Sequence, residues 1–156
     1  MKPRPHALIS ACLLGVPCRY DGASKPIDAQ KLRCLMDVVD LVPVCPEQLG
    51  GLPTPRIPSE RVGDGVLTRE GTDVSPAFRR GAAVALEMAR LFNVRCAILK
   101  ARSPSCGAGE IYDGSFSGRI IPGDGVTAEL LRRHGIPIYC EDQIDALLRG
   151  LEEETR

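Results

Sequence analysis

The stretch Cys96-Ala97-Ile98-Leu99-Lys100-Ala101-Arg102-Ser103-Pro104-Ser105-Cys106-Gly107 constrains the fold more than any other. Its apolar start breaks abruptly into a Ser/Pro/Gly segment, the pattern of a buried strand that delivers a loop to the surface. The same grammar recurs in Ala7-Leu8-Ile9-Ser10-Ala11-Cys12 and in Leu41-Val42-Pro43-Val44-Cys45-Pro46-Glu47. Three strand-like runs therefore each end on or just before a cysteine. Short apolar runs alternating with helical patterns imply a parallel sheet with right-handed crossovers. In open sheets of that kind, ligands bind outside the carboxyl ends of the strands. Cys12, Cys45 and Cys106 are thereby predicted to meet at one site.

Taken in order, strand one is predicted from about His6 to Cys12, after a polar, Pro-rich start at Met1-Lys2-Pro3-Arg4-Pro5. A loop with a turn at Asp21-Gly22 follows. The next helix spans about Asp28 to Val39, capped by Asp28, with Leu32, Leu35, Met36 and Val39 on its apolar face. Strand two is Leu41 to Cys45. Pro46 to about Thr72 reads as a long irregular segment, with a small hairpin around Asp64-Gly65. Segments of that length in compact domains tend to be functional. The longest helix runs from about Asp73 to Phe92, with Phe78, Ala82, Ala85, Met88 and Ala89 as its stripe. Strand three is Cys96 to Lys100, and Glu110 to Ile121 forms a hairpin. A helix over Thr127 to Arg133, a fourth strand over Ile136 to Cys140 and a helix over Glu141 to Glu153 complete the chain. The expected fold is a single α/β domain over residues 1–156. It is three-layered and Rossmann-like, with a mostly parallel sheet of about four strands and a small β-hairpin.

Composition narrows the function classes. Twenty Lys and Arg balance twenty Asp and Glu, so no global charge bias points to nucleic acid or to a membrane surface. No apolar run approaches the ~20 residues of a membrane span. The apolar stretch before Cys12 is also far shorter than a signal h-region. A cytoplasmic location is expected. Seven cysteines form an odd set that fits a disulfide framework poorly. Cys34, Cys96 and Cys140 read as small core residues. The other four sit at loops.

Three thiolates on separate loops, with no local C-x-x-C pair, do not match structural zinc. Soft thiolates select iron–sulfur clusters, zinc or copper(I). A cubane is normally held by four cysteines, so three would leave one iron open. The competing reading is a set of loop thiols that share no ligand. His6 and His134 read as structural. Glu47, two residues beyond Cys45, is placed to face the same pocket, and Ser103 either satisfies its own turn or reaches a ligand. Cys18 has three readings: a fourth ligand, a sulfur acceptor, or a loop-packing residue, of which packing is favoured. Arg19 and Arg56 could orient an electron-rich ring, although exposed arginines ordinarily do nothing so specific.

Five motifs occur together: Ser10-Ala11-Cys12-Leu13-Leu14-Gly15; Cys18-Arg19-Tyr20-Asp21-Gly22; Cys45-Pro46-Glu47 with Gly50-Gly51-Leu52-Pro53-Thr54-Pro55-Arg56; Lys100 to Gly107; and Ile111-Tyr112-Asp113-Gly114. In this order, over nearly the whole chain, they resemble the thiouracil desulfidase family. The resemblance implies a [4Fe-4S] cluster on Cys12, Cys45 and Cys106, with one open iron for the substrate sulfur. It also implies catalytic roles for Glu47 and Ser103. The implied substrate is a small-molecule thiolated pyrimidine, whose thiocarbonyl sulfur is exchanged for oxygen with release of hydrogen sulfide. Neither a nucleic acid nor a membrane is an expected partner. Two alternatives stand beside this reading: a desulfidase of 4-thiouridine as nucleoside or in tRNA, and a non-catalytic metal or redox sensor.

Overall fold

A computed structural model describes residues 3–154; Met1 and Lys2 of the Pro-rich start, together with the last two residues, lie outside it. Four strands form one parallel sheet: β1 (His6–Ser10), β2 (Asp40–Val44), β5 (Cys96–Leu99) and β8 (Ile138–Cys140), in the order β2-β1-β5-β8. The inner strands β1 and β5 are buried almost throughout. Helices cover both of their faces, which is why they read as continuous apolar runs instead of alternating ones. Pro43 sits in β2, an edge strand, where a missing N–H is tolerated.

Among the described residues, five α-helices and two hairpins accompany this sheet. Helices α1 (Ala29–Val38) and α5 (Ile144–Glu154) pack on one face of the sheet. There Leu35, Val39, Ile144, Leu147 and Leu151 meet Ala7, Ile9 and Ile98. On the other face α3 (Ser75–Leu91) and α4 (Val126–Arg133) bring Ala85, Leu86, Ala89 and Leu131 against Leu8, Val42, Ala97 and Leu99. The result is the predicted three-layer α/β architecture. Asp28 caps α1 by accepting from the Lys31 amide at 3.1 Å, an interaction worth about 1 kcal/mol.

Several expected boundaries shift. Strand one stops at Ser10, and Cys12 lies in a 3-10 turn over Ala11–Leu14. Strand two starts and stops one residue early, which leaves Cys45 beyond its end. The segment after it is not structureless. It holds the short helix α2 (Pro46–Leu49) and a complete antiparallel hairpin, β3 (Ser59–Val62) with β4 (Gly65–Thr68). The hairpin turns around Asp64-Gly65 as expected, with longer strands; only α2 was hidden, by a proline at its start and glycines at its end. A second hairpin, β6 (Glu110–Tyr112) with β7 (Ile120–Pro122), is as expected, though with shorter strands. The final helix is preceded by a separate 3-10 turn over Glu141–Gln143. Met36, placed on the apolar face of α1, is 52% exposed, because only the Leu35–Val39 line reaches the sheet. Cys34 is likewise exposed and not a core residue; Cys96 is buried and Cys140 half-buried.

The strand order creates the site. From β1 the chain crosses to β2 on one side, then returns to β5 on the other side of β1. The connections diverge between β1 and β5, the topological switch point where open α/β sheets bind ligands.

Candidate active site

Strand register brings the three cysteine loops to one level. Ser10 pairs with Val44 across β1 and β2, so Cys12 and Cys45 leave the sheet side by side. On the other side Ile9 pairs with Ile98, and the Lys100 amide donates to Ser10 Oγ at 2.9 Å. A cavity of about 500 Å³ opens at these strand ends, and its walls include Cys12, Cys45, Cys106, Glu47 and Ser103. These five residues share one chamber, and Cys18, Arg19 and Arg56 line it too.

Each loop is fixed by its own local device. Helix α2 carries Glu47 one residue after Pro46, with Cys45 immediately before the helix. It lies on α3 through a glycine-to-glycine contact. A Cβ added to Gly81 would come within 1.8 Å of the Pro46 carbonyl oxygen, and one added to Gly50 within 2.0 Å of the Ala77 oxygen. The Cys106 loop is clamped by the start of α4. The Val126 amide donates to the Pro104 carbonyl at 2.8 Å, the Thr127 amide to Ser105 at 2.8 Å, and the Gly125 amide to Gly107 at 2.7 Å. The buried hydroxyls of Ser105 and Thr127 meet at 2.8 Å.

Ser103 Oγ accepts from the amides of Ser105, at 3.1 Å, and Cys106, at 3.0 Å. It shapes the turn that presents Cys106, so the turn-satisfying reading of this serine is correct. A hydroxyl retains one proton to donate after accepting two bonds, and Ser103 lines the cavity. Both roles are therefore open to it.

Glu47 is held by Arg56. Nε and Nη2 of Arg56 both lie 2.6 Å from Glu47 Oε2, while Oε1 has no protein donor among the described residues. Arg56 is not a solvated arginine: its side chain is only 8% exposed. Its other donors reach the Pro53 carbonyl at 3.1 Å, Thr54 Oγ1 at 3.0 Å and the Cys18 carbonyl at 3.0 Å. One guanidinium thus ties together the Glu47 helix, the turn around the cis Thr54–Pro55 bond and the Cys18 loop.

Cys18 is 2% exposed and belongs to the core beside Cys12. Its carbonyl lies 3.7 Å from Cys45 Sγ. Burial, reinforced by Cys45, pushes the Cys18 thiol up to about 12. Cys12 is raised to about 11, first by burial and then by Cys45, with Lys100 and Arg19 acting in the opposite direction. The fully buried Cys106 thiol is pushed up as well, chiefly by burial, against which a Ser10 hydrogen bond acts. Desolvated, mutually repelling thiols resist ionisation unless a cation compensates them, and such a donor set suits a thiophilic metal centre. Among the described residues no group of three or more His, Cys, Asp or Glu is arranged to hold a single metal ion. In a cubane each thiolate binds a different iron, so its ligands are spaced more widely than those of one ion. Three thiols from three separate loops at one opening are a donor set that a cluster, taking one thiolate per iron, can use.

The comparisons with known proteins point the same way. A model of the 2-thiouracil desulfurase family matches residues 7–143. The chain belongs to the 2-thiouracil desulfurase family. Among its relatives is an uncharacterized Bacillus subtilis (strain 168) protein, YbbK. It is 41% identical over 151 residues, which span 90% of this chain and 99% of YbbK. Among solved structures, the [4Fe-4S]-dependent thiouracil desulfidase TudS is similar with a TM-score of 0.91 at 48% identity, covering 96% of this chain and 99% of that one.

Among the cavity-wall residues that sequence reading missed are Glu60, Arg69 and Phe116. Phe116 was visible only as one residue of a hairpin. The paired glycines 114 and 118 around it were the one available signal. The balanced total had left room for a local basic patch. The walls include six cations (Arg19, Lys25, Arg56, Arg69, Lys100, Arg102) against two carboxylates, Glu47 and Glu60. The balanced total of twenty against twenty conceals this excess. Neither histidine lines the cavity: the His6 ring lies 5.9 Å from that of Phe92, and His134 Nδ1 meets Arg90 at 3.0 Å.

Proposed function

We propose that this chain is a [4Fe-4S]-dependent desulfidase. It replaces the thiocarbonyl sulfur of a thiolated pyrimidine such as 2-thiouracil with oxygen and releases sulfide. The observation that carries this reading is the meeting of Cys12, Cys45 and Cys106 with Glu47 and Ser103 in one cavity. Residues 1–156 act as one desulfidase domain. All seven cysteines are free thiols, which suits the reducing cytoplasm. Among the described residues no helix is long and apolar enough to cross a membrane.

Cys12, Cys45 and Cys106 would hold the cluster, which when bound would supply a Lewis-acidic iron to polarise the thiocarbonyl. The overall exchange consumes one water: carbon loses sulfur, gains oxygen and changes no oxidation state. Glu47 takes a proton from that water and returns it to the departing sulfur or a ring nitrogen. Arg56 holds Oε2 and aims the free Oε1. The Ser103 hydroxyl orients the ring or the water through its remaining donor. Cys18 lines the cavity beside Cys45 and packs that loop, in keeping with its burial and its carbonyl contacts.

The test is anaerobic reconstitution followed by iron and sulfide analysis and by thiouracil turnover. About four irons and four sulfides per chain with sulfide release support the reading. One iron or less per chain, or bound zinc, overturns the cluster. A full cluster with no turnover of any thiolated pyrimidine points instead to a sensor. Two wall cations, Lys25 and Arg69, form no ion pair among the described residues, which favours a second substrate form, 4-thiouridine within tRNA, over its free nucleoside. Lower KM for this form than for the free nucleoside, with strong salt dependence, would establish it.

A further inference from the structure

We propose that Phe116 is the residue that grips the pyrimidine ring, and that Glu60 is the positioning residue that holds Phe116 against the cavity. The inference rests on the desulfidase reading and adds to it a determinant of ring specificity.

Phe116 lies at the tip of the β6–β7 hairpin with a φ of 56°. A bulky aromatic residue rarely occupies that left-handed region, and such outliers persist only where the surroundings over-determine them. Here Glu60, on β3, supplies the determination. Its Oε1 accepts from the Gly114 amide at 3.0 Å and from the Phe116 amide at 3.1 Å. Gly114 is pressed onto β3 so closely that an added Cβ would stand 2.8 Å from Val62 Cγ2. The Arg69 guanidinium lies over the Phe116 ring, 5.8 Å from its centroid.

All this restraint places an apolar ring in a wall of the cavity and not in the core. Phe78, by comparison, is 1% exposed in the interior, whereas Phe116 is half-buried and lines the cavity with Glu60 and Arg69. A flat, electron-poor heterocycle is the ligand such a wall suits, since every base presents a π-face for aromatic contact. Neither Phe116 nor Glu60 is needed for the proton transfers assigned to Glu47.

Phe116→Gly removes the ring and keeps a residue suited to that φ. In the reconstituted holoprotein KM for 2-thiouracil is expected to rise about tenfold, the scale of one lost base–aromatic contact, with kcat and iron content retained. Glu60→Ala is expected to raise KM similarly. Glu60→Gln, whose amide oxygen accepts the same two bonds, restores it. The chain contains no tryptophan, so Phe116→Trp creates a single emitter at the wall. Titration with 2-thiouracil is expected to quench it saturably, whereas Leu91→Trp, at a residue 79% exposed at the end of α3, shows only non-saturating absorption losses. An unchanged KM in Phe116→Gly, equal impairment by both Glu60 substitutions, or indistinguishable titrations of the two tryptophan variants would each overturn the inference. If the wild-type holoprotein failed to release sulfide, the functional reading would fall, yet the tryptophan titration would still decide whether the ring seats at Phe116.

Discussion

Arg56 shows how much at this site depends on single side chains. Its guanidinium serves Glu47, Thr54 and two carbonyls while nearly buried. Removing one partner of such a pair leaves the other charge desolvated, at a cost of about 3 kcal/mol. Arg56→Ala is expected to lower stability by about that amount in urea unfolding and to lose turnover through a released Glu47. Arg56→Lys should not rescue it, because an ammonium lacks the planar fork that engages several partners at once. Roles among the cavity residues separate by cofactor content. Cys106→Ser is expected to abolish cluster assembly, measured as iron and sulfide per chain. Glu47→Ala should keep the cluster and lose about a hundredfold in turnover, a typical share for one general acid–base group. Full activity of Glu47→Ala would refute the assigned proton transfer.

Among elements, the contact between α2 and α3 carries the most consequence. Gly81 lies inside a 17-residue helix, where alanine is intrinsically better by about 1 kcal/mol. Helix propensity alone therefore predicts that Gly81→Ala stabilises. The added methyl, however, would lie 1.8 Å from the Pro46 carbonyl oxygen, and that oxygen belongs to the turn that sets Cys45 and Glu47. Gly81→Ala is expected to lower the urea midpoint and to impair cluster assembly together. A stabilised, fully loaded variant would show that α2 does not depend on this approach. The clamp of α4 on residues 104–107 serves the third cysteine in the same way, with backbone carbonyls in place of a capping side chain.

At the scale of the whole molecule, Cys96 reports on the sheet. It sits on the central strand β5, 3% exposed, and burial raises its thiol from 9.0 to about 11. The folded state thus holds its proton more tightly than the unfolded chain. That contribution to stability is complete below pH 9.0 and is lost as pH rises toward about 11. In the apoprotein at about pH 8, exposed Cys34 should alkylate quickly while Cys96 reacts only through unfolding. Loss of helical circular dichroism and Cys96 labelling should therefore share one urea midpoint if residues 1–156 form one cooperative domain. Separate midpoints would divide the chain.

The sequence by itself determined the parallel sheet and its covering helices, because strands buried on both faces must be continuously apolar and their loops must break that run. Cys12, Cys45 and Cys106 stood out for the same reason: each lies in a loop that follows such a break, at the end of the sheet where open α/β folds bind ligands. Cluster chemistry and the roles of Glu47 and Ser103 came from resemblance, since spacing alone left zinc, copper and unlinked thiols open. Only the tertiary structure decided what Arg56 does, because burial of a charged side chain depends on partners nine and thirty-eight residues away in the chain. It alone placed Glu60 beneath Phe116, 56 residues apart, and gathered six cations around one opening in a chain of zero net charge. Local sequence encodes periodicity and breaks. Convergence across loops follows from strand order and register, which no local pattern contains.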